Sequence, residues 1–225
     1  MPVSVDDVAA VVLSRVGRVE AMKLQKLVYY SQAWHIALTD EVLFHDTVQA
    51  WNRGPVVDTL WQRHRGRRTI TSWDAGHPEH VRGTSKKVVV LVCDVYGQLS
   101  GDDLSELTHQ ELPWREARAG TPDGEYSRTP IKVDVMKQFY RRRQLAGRSV
   151  ADLVAGGVAG FVDPQVDGAQ RKRLFADIRS EFSGLPQHGP GLPAPVGIGF
   201  REDCERDRPG TVRLSRERPL RGRAG

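Results

Sequence analysis

Two cysteines, Cys93 and Cys204, are all that the 225 residues hold. So few thiols exclude a disulfide framework and a cysteine metal cluster, and they suit a reducing compartment, so the expected location is the cytoplasm. Aromatics are missing from the C-terminal end: every Trp and Tyr lies before residue 141, and beyond residue 183 only Phe200 remains. A stretch that cannot bury large apolar side chains cannot offset the entropy of ordering, so the Pro/Gly/Arg-rich 184–225 is predicted to be a disordered tail. No apolar run approaches the roughly 20 residues that span a bilayer, and the N-terminus MPVSVDDVAA is acidic where a secretory signal is basic. No membrane is expected as a partner. A strong charge of one sign is lacking too, since 33 basic residues stand against 28 acidic ones for a net of +5. That is a weak attraction for nucleic acid, which is not expected as the primary partner.

What the chain does have is concentrated between Met22 and Trp61, with three of the five tryptophans, two of the five tyrosines and a Gly-Pro pair. Leu24, Leu27, Val28, Ser31, Trp34, His35 and Leu38 recur at helical spacing, which predicts a helix over 21–38 with those residues inward. Lys23, Gln25, Lys26 and Gln32 fall on its opposite side and are expected in solvent. Tyr29 and Tyr30 fall on its flanks, with rings buried and hydroxyls wet. Upstream, Ser4, Asp6 and Asp7 read as the cap and acidic first turn of a helix over 4–16. Downstream, 41–51 reads as an extended arm or short strand pair leading to Asn52-Arg53-Gly54-Pro55. Gly54 supplies a turn conformation, and Pro55 is expected in the first position of a helix carrying Val56, Leu60, Trp61 and His64.

Residues 65–87 are polar and basic, a long surface loop with Trp73 as its anchor. In KKVVVLVCDVY, 86–96, five valines favour a strand, while Val88, Leu91, Val92, Val95 and Tyr96 also fit a helical stripe; periodicity alone does not decide. Ser100 with Asp103 predicts a capping box for a helix to about Gln110, interrupted at Pro113 and followed by a short helical stretch to Ala119. Thr129 and Pro130 are expected to start a further helix that turns Val133, Met136, Phe139 and Tyr140 inward and ends in Arg141-Arg142-Arg143. Gly168 to Ser183 has an amphipathic pattern of its own.

Three segments then read together: MKLQKLVYYSQAWHIAL at 22–38, QAWNRGPVVDTLW at 49–61 and LSELTHQELPWREAR at 104–118. Their order and spacing resemble the Panacea domain family, the SocA-like antitoxins, over about residues 4–143. The motif positions are Lys23, Leu24, Gln25, Lys26, Leu27, Tyr29, Tyr30, Trp34, Trp51, Gly54, Pro55, Val56, Thr108, His109, Pro113 and Trp114, each in the core or in contact with a partner. The resemblance implies a mainly α fold, a compact domain of about six to seven helices with a short extended arm, and a helix at 86–96. It also implies an antitoxin that neutralises a cognate toxin, encoded nearby, by direct binding, with a ClpXP-type protease as a second partner through adaptor action. No catalysis, cofactor or metal is expected. The division that follows is a helical domain over 1–147, a helical extension over 148–183 and the tail over 184–225.

Rival readings rest on particular residues. A nucleic-acid-binding regulator would use the basic loop 65–87 and Arg141 to Arg143. A metal-dependent hydrolase would use His35 and His109 with Glu106 and Glu111, but H-x-E is not a zincin spacing, and histidines satisfied inside the fold are the simpler expectation. Thr108 and His109 are expected to tie two helices through side-chain bonds to backbone groups left open by Pro113. Trp34, Trp51, Trp61 and Trp114 are expected to be core anchors, and an exposed pair among them would mark a partner surface.

Overall fold

A computed structural model describes residues 2–122, 124–145, 148 and 149. The expected amphipathic helix at 168–183 and the tail at 184–225 lie outside the described residues. Helix accounts for 57% of what is described and strand for 9%, so the fold is mainly α as expected.

Helix α1 (Val5–Val16) opens under a Ser4 cap and buries Asp6 and Asp7 along with its valines. Strand β1 (Val19–Glu20) leads into α2 (Ala21–Thr39), the central helix. Every residue of α2 from Leu24 to Ala37 is buried, so the expected wet face does not exist. α1, α4, α5 and α7 pack against α2, and the β2–β3 hairpin covers what they leave open. A helix enclosed on every side must bury its polar residues as well, and it can do so only where they find partners.

Strands β2 (Val48–Trp51) and β3 (Gly54–Val57) form an antiparallel hairpin in which Trp51 faces Gly54 and Ala50 faces Pro55. Pro55 therefore sits in a strand, and the next helix, α3 (Asp58–His64), starts three residues later than the Gly-Pro pair suggested. Strand β4 (Thr69–Ile70) pairs with β1. A single 3-10 turn follows at Pro78–His80. The loop expected over 65–87 stops short, because Gly83 to Lys87 already belong to the next helix, but its anchor is as expected: the buried Trp73 donates its indole N–H to Asp6 at 3.0 Å. Asp7 accepts from the His77 amide at 2.7 Å, so the two acids of the first turn hold this loop besides facing the helix dipole.

Helix α4 (Gly83–Tyr96) resolves the ambiguous valine run as a helix, as the family resemblance implied. α5 (Gly101–Gln110) has the complete Ser100–Asp103 capping box, and α6 (Leu112–Ala117) carries Pro113 near its start. α7 (Val133–Arg141) begins at Val133, not at Thr129. Thr129 and Pro130 run as a strand-like segment beside β2: the Ala50 amide donates to the Thr129 carbonyl, and the Ile131 amide donates to that of Val48. With that start, Met136 and Tyr140 face the core while Val133 is 41% exposed, against the inward position expected for it. A short antiparallel pair, β5 (Gln144–Leu145) and β6 (Arg148–Ser149), closes the described chain.

Candidate functional site

The three sequence motifs converge on the β2–β3 hairpin. From α2, Gln25 imitates a strand neighbour: its side-chain oxygen accepts from the Val57 amide at 2.9 Å and its nitrogen donates to the Val57 carbonyl at 3.3 Å, with His64 Nε2 at 3.0 Å. Lys26, one residue on, donates its ammonium to the Pro55 carbonyl at 3.1 Å. Between Lys26 and α5 lies Gly54, at φ 97°; a Cβ there would stand 2.6 Å from Thr108 Oγ1 and 2.8 Å from the Lys26 Nζ. Only glycine allows both that backbone angle and that approach. Gln25 and Lys26 are thus buried clamps, not solvated charges. Thr108 bonds the Ser105 carbonyl of its own helix at 2.8 Å, so it fills space beside the turn and does not bridge two helices.

The third motif grips the hairpin from the other side. Trp114 donates its indole N–H to the Trp51 carbonyl at 2.9 Å, and His109 stacks on Trp114 with centroids 4.1 Å apart. Arg118 lies over the same indole and donates to the Ala50 carbonyl at 3.2 Å and the Glu125 carbonyl at 2.8 Å. His109 Nε2 is buried without a hydrogen-bond partner. Burial, followed by the positive charge of Lys26, pushes the His109 pKa down to about 4, so the ring is neutral at physiological pH. Pro113 is buried, as is Val56, while Trp114 is half-buried.

A second set surrounds the middle of α2. Tyr29 and Tyr30 have no exposed surface, so their hydroxyls are not wet. The Tyr30 hydroxyl donates to Glu111 Oε1 at 3.3 Å, and that of Tyr140 donates to Glu111 Oε2 at 2.6 Å and lies 3.3 Å from that of Tyr29. Tyr30 stacks on Tyr96 at 4.2 Å, and the Trp34 indole N–H donates to the Tyr96 hydroxyl at 3.1 Å. Burial raises the Glu111 pKa to about 7, and it lowers that of Lys26 to about 7. Glu111 and Tyr140 as one unit escaped sequence reasoning, because 29 positions separate them and the inward period that includes Tyr140 does not tell which carboxylate its hydroxyl will meet. Leu24 and Leu27 fill the core beside them, and Lys23 closes the end of α4 by donating to the Gly97 carbonyl at 2.7 Å.

His35 and His109 do not form a pair. His35 lies against the Glu41 carbonyl at 2.8 Å and Ser85 Oγ at 3.0 Å, neither of which contacts His109. Among the described residues no group of three or more His, Cys, Asp or Glu could hold a metal ion. The arginine run is engaged within the fold: Arg141 bonds the Ala37 carbonyl at 3.4 Å and pairs with Asp40 beside Lys137, and Arg143 lies 4.6 Å from the Phe139 ring centroid. Arg141 thus compensates the C-terminal end of α2, a neighbour, more directly than that of its own helix.

Of the four tryptophans expected in the core, only Trp34 is fully buried. Trp51 and Trp61 are half-buried and lie together at 5.2 Å, between the core position expected for them and a fully exposed pair. Tyr126, 48% exposed, adds its ring 5.9 Å from Trp51. The exposed Arg65 lies over Trp61 at 5.2 Å, and Arg128 lies over both Trp51, at 5.7 Å, and Tyr126. Two neighbouring segments and a third about 60 positions further on therefore build one row in the order Arg65, Trp61, Trp51, Arg128, Tyr126. Ring surface left in water forgoes about 25 cal/mol per Å², so a clustered row of this kind is informative where scattered aromatics would not be.

Fold and site together define a mainly helical domain whose buried polar side chains clamp a surface hairpin. A family model described as antitoxin SocA-like, Panacea domain, matches residues 24–115, so over that stretch the chain is similar to the SocA-like antitoxins. The match contains α2 from Leu24 onward, the hairpin and the Thr108-to-Trp114 motif, and it is narrower than the 4–143 span of the sequence resemblance. No curated protein and no solved structure matches the chain. No helix among the described residues is long and apolar enough to cross a membrane.

Proposed function

We propose that this protein is an antitoxin that neutralises a toxin encoded beside it by covering part of that toxin's surface in the cytoplasm, without catalysis and without a cofactor. The observation that carries the reading is the match to the antitoxin SocA-like domain over 24–115. The geometry supports it in a specific way: the motif residues are mostly interior and fix the hairpin, so the scaffold can be shared while the outward side chains around it choose the partner.

The test is co-expression. The neighbouring gene expressed alone should arrest growth, and growth should return when this protein is produced with it. A neighbour that is harmless alone sinks the reading. A ClpXP-type protease is a second partner in this proposal. A toxin whose half-life shortens in the presence of this protein, and lengthens again when ClpX is removed, supports it; a half-life indifferent to both rules it out.

A further inference from the structure

The row Arg65, Trp61, Trp51, Arg128, Tyr126 has the composition of an energetic hot spot, since tryptophan, tyrosine and arginine dominate such patches. Its members are held in place before any partner arrives. Trp51 is fixed by its place in β2 and by a bond from its indole N–H to Gln49 Oε1 at 2.8 Å, and its carbonyl is held by Trp114. Trp61 stands on α3. Arg128 and Tyr126 are bonded to each other, and their segment is tied to β2 through the Thr129 carbonyl. A rigid aromatic surface loses little conformational entropy on binding.

Two features choose the occupant. A guanidinium lies over Trp61 at one end of the row and another lies between Trp51 and Tyr126 toward the other end, so carboxylates reaching either position meet a positive charge beside apolar ring. The rings also pack on one another at 60° and 62°, with arginines over them, instead of standing apart with open faces. Stacked bases need such open faces, so the arrangement disfavours single-stranded nucleic acid. A second copy of this chain docking through the same row would bring like charges together.

We propose that this row is the toxin-docking surface and that it takes an acidic segment of the toxin, carboxylates on Arg65 and Arg128 and apolar side chains on the rings between them. The proposal rests on the antitoxin reading above. The motif hairpin is then the mounting for the docking surface, since the clamp by Gln25, Lys26 and Trp114 fixes where Trp51 stands.

The experiment uses the full chain and the product of the neighbouring gene. Arg65→Glu and Arg128→Glu, singly and together, are scored for growth rescue and for co-purification with the tagged neighbour, alongside Arg18→Glu, an exposed arginine between α1 and β1, as control. The expected result is unchanged far-UV circular dichroism, intact rescue by the control, at least about tenfold weaker capture for each single reversal and loss of rescue for the pair. Trp61→Ala, read the same way, should also lose capture. Rescue and capture by the double reversal equal to the unaltered protein would overturn the surface while leaving the antitoxin reading intact. Failure of the unaltered protein to rescue would remove the reading itself, and the surface with it. Binding of a fluorescent single-stranded DNA 20-mer, or a dimer in light scattering, that the same reversals abolish would assign the row to those occupants and overturn the proposal.

Discussion

At the scale of single residues, the motif positions divide by what they touch. Gly54 has no freedom to change, because its backbone angle of 97° is disallowed to side chains and the space above it belongs to Lys26 and Thr108. Gly54→Ala should lower stability by ~2 kcal/mol or more, read as a fall in the thermal midpoint. Gln25 has a different vulnerability, since it satisfies both polar groups of Val57 inside the protein. Gln25→Leu keeps the volume and strands that amide and that carbonyl, which should cost on the order of 2–4 kcal/mol in urea unfolding. A Gln25→Leu protein as stable as the original would mean that water reaches Val57 and that the clamp is not needed.

At the scale of elements, α4 is the case in which local preference and outcome disagree. Its valines at 88, 89, 90, 92 and 95 each lose side-chain freedom in a helix, and its N-cap Arg82 makes no capping bond. The helix holds because one side packs on α1 and another on α2, burying Val88, Val89, Leu91, Val92, Val95 and Tyr96. A peptide of residues 83–97 alone should therefore be mostly unfolded by circular dichroism in water, and a largely helical spectrum would show that the sequence needs no tertiary support. The same reasoning explains what was legible and what was not. α1, α2 and α5 carry caps or long apolar periods and could be read directly. The polar side of α2 could not, because nothing in Gln25, Lys26 or Gln32 tells that a hairpin and a loop will arrive to bond them: Gln32 accepts from the Leu43 and Phe44 amides, 11 and 12 positions away. Thr129-Pro130 looked like a helix start for a related reason. Its role as a partner of β2 depends on a strand 81 positions earlier, Gln49 to Pro130. The aromatic row was half visible, in Trp51 and Trp61, but Tyr126, Arg128 and Arg65 join it only through the fold.

At the scale of the whole molecule, two buried ionisable groups make folding depend on pH in opposite senses. Glu111 ordinarily titrates near 4.5 and in the fold near 7, because burial disfavours its charge. Between those values the unfolded chain has released the proton that the folded chain keeps, so stability is greatest below 4.5 and is lost as pH rises toward 7. Lys26 ordinarily titrates near 10.5 and in the fold near 7, again because burial disfavours its charge. Here the unfolded chain holds the extra proton between 7 and 10.5, so stability returns as pH rises through that window. The shifts correspond to about 3 kcal/mol for Glu111 and about 5 kcal/mol for Lys26. His109, lowered from 6.5 to about 4 in the fold, opposes Glu111 on the acid side, so stability in urea unfolding from pH 4.5 to 10 should be nearly level below neutrality and rise above it. Glu111→Gln should unmask a rise with pH on the acid side and leave the alkaline rise, while Lys26→Met should flatten the alkaline side and leave the acid side level. Profiles in which both variants change the same limb would mean that the two groups titrate as one coupled pair across the tyrosine cluster, and the separation of clamp from core drawn from their contacts would have to be abandoned.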